Sequence, residues 1–289
     1  MNDRDTTEIK EEKRAGGGLI REVFLPFALA AVLTECVSIA AGAALDVLAA
    51  RNEAAAVYFL RWPGDRNLAA LAAGMAALLL YSARPARPEI AHVQGTRGTL
   101  GQPEDFALMI LVSICAALAV NGAVSLFGGL PGSIFGEAAG GYGAAAAREG
   151  GSMPGMHLVP GFAVYAFLSP LAEEALFRGV LFVRLGRRTS FAGAAFLSAA
   201  MFSLWHGTGP SAVYALIMGV LFCAAFTLTR RFAAAVAMHG AANAAVFLLY
   251  VAMGLSDALS RPWMIALFAL GAAMGVFLIR ERMKKEEKP

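Results

Sequence analysis

The sequence predicts an all-α integral membrane protein with about eight transmembrane helices. Of its 289 residues, 58% are hydrophobic and only 16% are charged, and the mean hydropathy is +0.62. The apolar residues gather in segments that approach the roughly 20 residues needed to cross a bilayer as a helix. The sequence contains no cluster of basic residues of the kind that binds nucleic acid, so no nucleic-acid partner is predicted. Cys36, Cys115 and Cys223 lie in different apolar segments, so neither a disulfide framework nor a thiolate metal cluster is predicted.

Eight apolar segments are candidate spans when their lengths are compared with the bilayer thickness. The second and fifth segments are short, and a further helix over 54–60 could lie at the membrane surface before the second. The spans are expected at 24–45, 68–83, 106–127, 162–185, 191–205, 212–229, 232–253 and 263–279.

Basic residues between these segments predict the orientation of the chain. Short cytoplasmic loops are enriched in Lys and Arg, and most of the 24 basic residues fall on the cytoplasmic side if the N-terminus is placed inside. We therefore expect both termini to be cytoplasmic. The small, alanine-rich chain favours a bacterial source and hence a bacterial cytoplasmic membrane. The mixed charges of the first residues are unlike a signal peptide and predict a retained arm.

The longest connection, rich in Gly and Ala, divides the chain into two parts. The three spans before it contain few polar residues, among them Asn121 and Glu35. We expect Glu35 to pair with a neighbouring helix. The five spans after it carry every residue that suggests chemistry. The predicted units are a cytoplasmic N-terminal arm (1–23), three N-terminal spans (24–130), a Gly/Ala-rich loop (131–157), a core with the polar residues (158–255), and a last span with a basic cytoplasmic tail (256–289).

Three ionisable side chains, Glu173, Glu174 and Arg178, interrupt the fourth apolar segment. A charge at the bilayer centre costs about 2.5 to 3.5 kcal/mol by insertion scales, so three together indicate mutual pairing and a function. Glu174 and Arg178 are four residues apart, which favours an ion pair on one helix face. Glu173 points about 100° away, so it can face a cavity and act as a general base. On a soluble helix the same pattern would more often be a surface salt bridge.

Two further polar motifs lie in neighbouring spans. His206 ends the fifth span, four residues after Phe202, and a lone histidine there is more often an interfacial or hydrogen-bonded residue. His239 and Asn243 are four residues apart in the seventh span and therefore project from one face. They could donate hydrogen bonds to a developing oxyanion, or the histidine could bind a metal while the amide positions a substrate. They could also form a polar contact between helices.

Taken together, these residues form three motifs in a fixed order. The first is E-E-x-x-x-R, beginning at Glu173; the second is F-x-x-x-H, ending at His206; the third is H-x-x-x-N, beginning at His239. In this order they resemble the motifs of the family of CAAX prenyl endopeptidases and bacteriocin-processing enzymes (CPBP, with Abi-like members). The resemblance covers roughly residues 159–250 and is specific through the three motifs jointly. The N-terminal spans carry no motif of the family.

The resemblance implies an intramembrane endopeptidase, a hydrolase acting on membrane-associated peptides or proteins. Glu173 would activate a water that attacks a peptide carbonyl, and His206 would help to position that water. His239 and Asn243 would stabilise the oxyanion or hold the substrate. The substrates would be prenylated CAAX tails, leader peptides or segments of membrane proteins, and 158–255 would be the catalytic core. Supporting roles would fall to Glu174, Arg178 and Phe202.

The need for a metal stays open from the sequence. The family is often described as metalloproteases, and His206 and His239, together with Glu173, could bind a divalent ion such as zinc from separate helices. The H-E-x-x-H motif is absent. A water attack driven by Glu173 without a metal fits the residues equally well.

The predicted spans contain one conflict in depth. At 1.5 Å per residue, Glu173 and His239 would lie about 12 to 20 Å from the cytoplasmic surface, whereas His206 would lie more than about 20 Å deep. A steeply tilted or broken fifth span would bring the three side chains together.

Two functions of other classes use the same residues. The polar residues could be structural in a non-catalytic membrane scaffold or immunity protein, or Glu173 and His239 could be proton sites of an ion-coupled transporter. The chain has no detectable internal repeat, which argues against the transporter. Replacing Glu173 by Gln preserves its shape and removes the base, so only an enzyme is expected to lose its function.

Overall fold

The protein is built from helices, and the computed structural model describes residues 18–94, 98–128, 155–207 and 209–286. Within these residues no strand is present, which confirms the predicted all-α class. The arm before residue 18 and most of the predicted loop 131–157 fall outside them. The helices are α1 (Ile20–Arg51), α2 (Glu53–Arg61), α3 (Pro63–Gln94), α4 (Pro103–Gly128), α5 (158–186), α6 (Phe191–Trp205), α7 (Pro210–Thr229), α8 (Phe232–Ala252), α9 (Ser256–Leu259) and α10 (Pro262–Glu286).

Each predicted span corresponds to one helix, but not every such helix has the length and composition of a span. In the described ranges, six helices are long and apolar enough to cross a membrane, namely α1, α3, α4, α7, α8 and α10. α6 is apolar but has only 15 residues, and α5 is long but charged. The predicted number of about eight is therefore approximate, while the polytopic membrane class is confirmed. The helix predicted near 54–60 is present as α2, and no prediction covers α9.

α5 is a continuous helix that contains two wider turns. Its α-helical parts alternate with π-helical turns at Val164–Leu168 and Phe177–Phe182, and the backbone stays in the right-handed helical region at each junction. π-helical turns are rare in proteins overall, and those that occur are often found at functional sites. The two turns flank the α-helical segment that contains Glu173 and Glu174, and Arg178 lies within the second turn.

Small residues let the helices around the charged part of α5 approach closely. A Cβ on Gly240 of α8 would lie 2.6 Å from the backbone oxygen of Ala166 on α5, and a Cβ on Gly219 of α7 would lie 3.0 Å from Cβ of Ala199 on α6. Such contacts are typical of helix packing in membranes, where small residues allow close backbone approach. α8 therefore packs directly on α5, and α7 packs directly on α6.

Ion pairs join the N-terminal helices to the end of α5. Arg188, just after α5, pairs with Glu22 of α1 at 2.8 Å. Arg184 and Arg187 both pair with Glu89 of α3, the first at 3.2 Å. The two halves of the chain are thus connected by charge at this end of the bundle.

A second polar cluster holds the beginnings of α3 and α5 together. Asp65 of α3 accepts hydrogen bonds from the hydroxyl of Tyr58 (2.5 Å) and from the backbone N–H of His157 (2.8 Å), which precedes α5. The hydrogen bond to Asp65 raises the pKa of Tyr58, because the neighbouring carboxylate disfavours the phenolate. α3 and α5 are therefore parallel neighbours tied at both ends.

Among the described residues, Glu35 makes no ion pair with a neighbouring helix, so the structure does not bear out that prediction. Its side chain lies on the exposed face of α1, with Val32 and Ile39 three and four residues away on the same stripe. α1 contacts α3 through another face, where Thr34 is buried.

Candidate active site

The predicted site residues converge at the middle of α5, the end of α6 and the first half of α8. Oε2 of Glu173 lies 3.6 Å from Nε2 of His239 and 4.0 Å from Nε2 of His206. Asn243, one turn after His239, donates from Nδ2 to the backbone oxygen of Tyr165 on α5 (3.0 Å). His239 and Asn243 thus both point to α5, as their spacing predicts.

The conflict in depth is resolved without a break in the fifth span. α5 and α6 are consecutive helices, and α6 is continuous from Phe191 to Trp205. Glu173 lies about 20 Å before the end of α5, and His206 lies about 22 Å after the start of α6. Because the chain reverses direction between them, the two side chains reach similar heights.

His239 reaches the same height about two turns after the start of α8 at Phe232. In the turn before α8, Thr229 is 3% exposed, and the backbone N–H of Leu100 donates to the backbone oxygen of Leu228 (2.9 Å). The segment before α4 therefore covers the first part of this turn, while Arg231 is exposed.

The site is almost completely buried. Glu173 and His239 are 5% and 3% exposed, and Glu174 and Arg178 are fully buried. The side chain of His206 is 27% exposed. The end of α6 is therefore the side from which the site is most accessible.

A buried ion pair supports the centre of the site. Oε1 of Glu174 accepts hydrogen bonds from Nη1 of Arg178 (2.8 Å) and Nδ1 of His239 (2.9 Å). Nη2 of Arg178 donates to the backbone oxygen of Gly219 on α7 (2.9 Å). The predicted Glu174–Arg178 pair is thus present, and it also orients His239. Compensation of this kind is needed because an unpaired buried charge is strongly unfavourable.

Aromatic rings surround the buried guanidinium group. The ring of Phe202 lies 4.7 Å from Cζ of Arg178, and that of Phe222 lies 5.2 Å from it. Phe202 also packs against the imidazole of His206, with ring centroids 4.4 Å apart, and Phe222 stacks on His239 at 4.6 Å. The two rings fix the side chains of both histidines and exclude water from the ion pair.

The hydrogen bonds of the two histidines define how they face Glu173. Nδ1 of His239 donates to Glu174, and Nδ1 of His206 donates to the backbone oxygen of Phe202 (2.9 Å). The backbone oxygen of Phe202 can only accept, and Oε1 of Glu174 already accepts from Arg178. A neutral imidazole with its proton on Nδ1 presents Nε2 as an acceptor. Both Nε2 atoms therefore offer lone pairs toward Glu173.

The space between these acceptors suits a bridging water. Oε2 of Glu173 is buried and has no direct hydrogen-bond partner among the described residues. Its separations from the two Nε2 atoms, 3.6 and 4.0 Å, exceed a direct hydrogen bond. A water can donate two hydrogens, so it joins acceptors that would otherwise repel one another.

The same donor atoms do not fit a metal site. In the ranges that the structure describes, no group of three or more His, Cys, Asp or Glu residues is arranged to hold a metal ion. The arrangement therefore does not support the predicted metal role of His206 and His239.

α7 contributes to the site although no motif lies in it. Gly219 supplies the carbonyl that accepts from Arg178, and Phe222 supplies the ring on His239. A carbonyl acceptor has no signature in the sequence. The spacing of Tyr214, Met218 and Phe222, four residues apart on one face, is the signal that could have placed this helix beside the site.

A comparison with protein families matches residues 155–245 to the type II CAAX prenyl endopeptidase Rce1-like family. Searches of the curated proteins and of the solved structures found no match. At the level of the family, the match supports a CAAX-type intramembrane protease. The resemblance predicted from the three motifs is thereby confirmed for residues 155–245, which match this family and contain every predicted site residue.

Proposed function

We propose that this protein is an intramembrane endopeptidase in which Glu173 activates a water for attack on a peptide bond. The observation that carries the proposal is the position of Glu173 Oε2. This oxygen is buried, has no direct hydrogen-bond partner in the described residues, and lies between the Nε2 atoms of His206 and His239. Oε2 of Glu174 is also buried without a hydrogen-bond partner among the described residues, so what distinguishes Glu173 is that its oxygen faces the Nε2 atoms of two histidines from other helices.

In the proposed reaction, the water donates one hydrogen to Glu173 and the other to a histidine Nε2. The water oxygen forms a bond to the carbonyl carbon while its proton passes to Glu173, and negative charge develops on the carbonyl oxygen. The carbon–nitrogen bond then breaks, and Glu173 returns the proton to the leaving amine. General acid–base catalysis of this kind contributes roughly 10² to 10⁴ in rate.

Asn243 is proposed to hold the substrate rather than the water. One hydrogen of its Nδ2 is used on the backbone oxygen of Tyr165, which fixes the amide, and the second hydrogen can reach a substrate carbonyl. Glu174, Arg178 and Phe202 are proposed to orient His239 and His206. Residues 158–255 would then form the catalytic core, with both termini on the cytoplasmic side of the membrane.

The proposed substrates are membrane-associated proteins with a prenylated CAAX tail. This choice rests on the family match, and leader peptides or other membrane segments are the alternatives that the experiment must separate. The protein would be reconstituted in lipid nanodiscs with an internally quenched peptide that ends in a farnesylated CAAX sequence. A peptide of the same sequence without the farnesyl group is the matched probe.

The expected result is cleavage of the farnesylated peptide by the wild type and no cleavage by Glu173→Gln. In parallel, new protein termini would be compared in membranes from cells expressing the two forms at matched levels. Termini found only with the wild type would establish a protease and identify its natural substrates. Identical termini, with a cellular phenotype retained in Glu173→Gln, would overturn the proposal in favour of a non-catalytic scaffold.

A further inference from the structure

A groove with a volume of about 760 Å³ opens between α1, α3 and α5. Its floor is formed by α5, where Leu176 and Val180 are buried, and its edge by α3, where Leu80 is 76% exposed. The groove is therefore open to the outside of the bundle, where membrane lipids lie. Its volume falls within the range of about 300 to 1,000 Å³ that is typical of ligand pockets. None of the proposed catalytic residues lines it.

The two ends of this groove differ in polarity. Arg84 lines it seven residues after Ala77 on α3, and Arg184 lines it eight residues after Leu176 on α5. These spacings correspond to about 10 to 12 Å along each helix. Because α3 and α5 are parallel neighbours, both arginines lie at the same end, and the apolar residues lie toward the middle of the bundle.

Arg184 keeps hydrogen-bond donors for a ligand although it is already paired. Its Nε donates to Glu89 (3.2 Å), and its Nη1 donates to the backbone oxygen of Glu22 (2.8 Å). A guanidinium group carries five N–H hydrogens. Three of those on Arg184 therefore have no acceptor among the described residues, and its side chain is 20% exposed.

Arg84 adds a positive charge that no described residue neutralises. It is exposed, and within the described ranges it takes part in no ion pair. The carboxylates at this end of the bundle are already used, because three arginines at the end of α5 share Glu22 and Glu89. The charged end of the groove thus has more positive charge than these carboxylates compensate, and it suits an anion.

We propose that this groove binds an anionic phospholipid. The phosphate accepts hydrogen bonds from Arg84 and Arg184, since guanidinium groups match phosphate oxygens well and basic pockets between transmembrane helices bind anionic headgroups. One acyl chain packs against Leu80, Leu176 and Val180. A phospholipid has its charge at the membrane surface and its chains toward the membrane centre, which is the order of charged and apolar residues along α3 and α5.

A prenylated peptide also combines an apolar chain with a carboxylate, so it is the competing occupant. Two observations favour the lipid. The groove opens past Leu80 to the outside of the bundle, so a lipid can enter directly from the membrane. The catalytic centre is most accessible at His206, which does not line the groove.

The first test measures lipid binding to the delipidated protein in detergent by native mass spectrometry. Phosphatidylglycerol and phosphatidylcholine with the same acyl chains are the probes. An arginine near the membrane surface contributes about five-fold to the binding of an anionic lipid, so we expect the wild type to prefer phosphatidylglycerol by about 25-fold. Arg84→Gln should lower this preference to about five-fold.

The matched control is Arg87→Gln, because Arg87 is exposed on the same helix but does not line the groove. It makes the same change in net charge and should keep the preference of the wild type. Equal affinity of the wild type for the two lipids, or an equal loss in Arg87→Gln, would overturn the proposal.

The second test fills the apolar part of the groove with Ala77→Phe. Each buried CH₂ group contributes about four-fold to binding, so displacing two of them should lower the affinity for both lipids about 15-fold and keep the preference for phosphatidylglycerol. Ala76→Phe is the control, since Ala76 is exposed and does not line the groove. Unchanged binding in Ala77→Phe would overturn the proposal. Should Ala77→Phe not fold, Leu80→Ala tests the same contact, with the same outcome against the proposal.

A competition experiment separates the lipid from the substrate. Phosphatidylglycerol bound to Glu173→Gln would be challenged with the farnesylated peptide, which this variant is expected not to cleave. Retention of the lipid supports the proposal. Displacement by the farnesylated peptide, and not by the peptide without the farnesyl group, would assign the groove to the substrate and overturn it. The first two tests contain no peptide, so their result does not depend on whether the protein is a protease.

Discussion

The N-terminal helices α1 to α4 and the segment 155–245 differ in where their charged residues are paired. In the N-terminal helices the ion pairs lie at helix ends; Asp105 near the start of α4, for example, pairs with Arg282 near the end of α10. The segment 155–245 has such pairs at the end of α5, but it also buries Glu173 and Glu174 in the middle of that helix. At a helix end the cation is partly exposed, as Arg282 is, whereas both members of the Glu174–Arg178 pair are fully buried and must be compensated by several partners.

Glu35 and Glu173 show the contrast most directly, since both lie inside an apolar helix. Glu35 is on the exposed face of α1, whereas Glu173 faces two histidines from other helices. The position of a carboxylate inside an apolar segment therefore does not by itself indicate a catalytic role. What distinguishes Glu173 is that side chains from other helices converge on it.

The largest effect is expected from replacing Glu173. Glu173→Gln keeps the volume of the side chain and removes the base, so cleavage of the farnesylated peptide should fall by about 10² to 10⁴. The melting temperature in detergent should change little, because Oε2 has no direct hydrogen-bond partner in the described residues. The measurement is kcat/KM for the peptide together with a thermal melt.

Glu35→Gln is the matched control, because it makes the same substitution in an apolar helix of the other half. We expect unchanged kcat/KM and an unchanged melting temperature. An equal loss of activity in the two variants would show that the comparison is wrong and that Glu35 has a role which the described contacts do not reveal.

The motifs of α5, α6 and α8 could be predicted from the sequence because their geometry is local. Residues four apart on a helix share a face, which predicts the Glu174–Arg178 pair and the common direction of His239 and Asn243. The partners that complete the site come from tertiary packing. Neither the Gly219 carbonyl that accepts from Arg178 nor the Tyr165 carbonyl that accepts from Asn243 follows from any spacing.

For the fold too, local features could be predicted from the sequence and features that depend on tertiary contacts could not. Apolar length predicts which segments are helices, since each backbone polar group must be satisfied within the membrane. The π-helical turns of α5 and the exposed position of Glu35 depend on which neighbours each helix face contacts. Periodicity along a single chain segment does not contain this information.

The second largest effect is expected from Arg178→Met, which tests the buried ion pair. The substitution removes the cation beside Glu174 and the donor to Gly219, and it leaves the buried carboxylate with only the hydrogen bond from His239 among the described contacts. Removal of one member of a buried pair costs about 3 to 5 kcal/mol. We expect a much lower melting temperature and a lower yield of folded protein.

A double variant checks the cause of that loss. Adding Glu174→Gln removes the uncompensated charge, so Glu174→Gln with Arg178→Met should be less destabilised than the sum of the single variants. Strict additivity would mean that Arg178 stabilises the fold through its contacts with the rings of Phe202 and Phe222 rather than through charge.

A moderate effect is expected from Gly240→Ala at the contact of α8 with α5. The added Cβ would lie 2.6 Å from the backbone oxygen of Ala166, so the helices must separate, at a cost of about 1 to 3 kcal/mol. The separation would also lengthen the distance from Glu173 to His239, and a misplacement of about 1 Å can lower the rate 10²-fold. Gly186→Ala is the control, since nothing lies within 4 Å of its added Cβ, and it should leave kcat unchanged.

The smallest effect is expected from Arg282→Met. It makes the same substitution as Arg178→Met, but near the end of a helix instead of in the buried centre. The Arg282 side chain is 42% exposed, and its partner Asp105 also accepts from the backbone N–H groups of Gly101 (3.1 Å) and Gln102 (2.9 Å). Asp105 is itself only 3% exposed, but these two N–H groups keep its carboxylate hydrogen-bonded when Arg282 is lost, so the cost should lie below the roughly 3 to 5 kcal/mol expected for a fully buried pair. This cost should shrink further at high salt, because solvent-exposed charges are screened, and kcat should not change. The measurement is the melting temperature of Arg282→Met and of Arg178→Met, each at low and at high salt. A loss as large as that of Arg178→Met would mean that the helix ends hold the bundle together as strongly as the buried centre does.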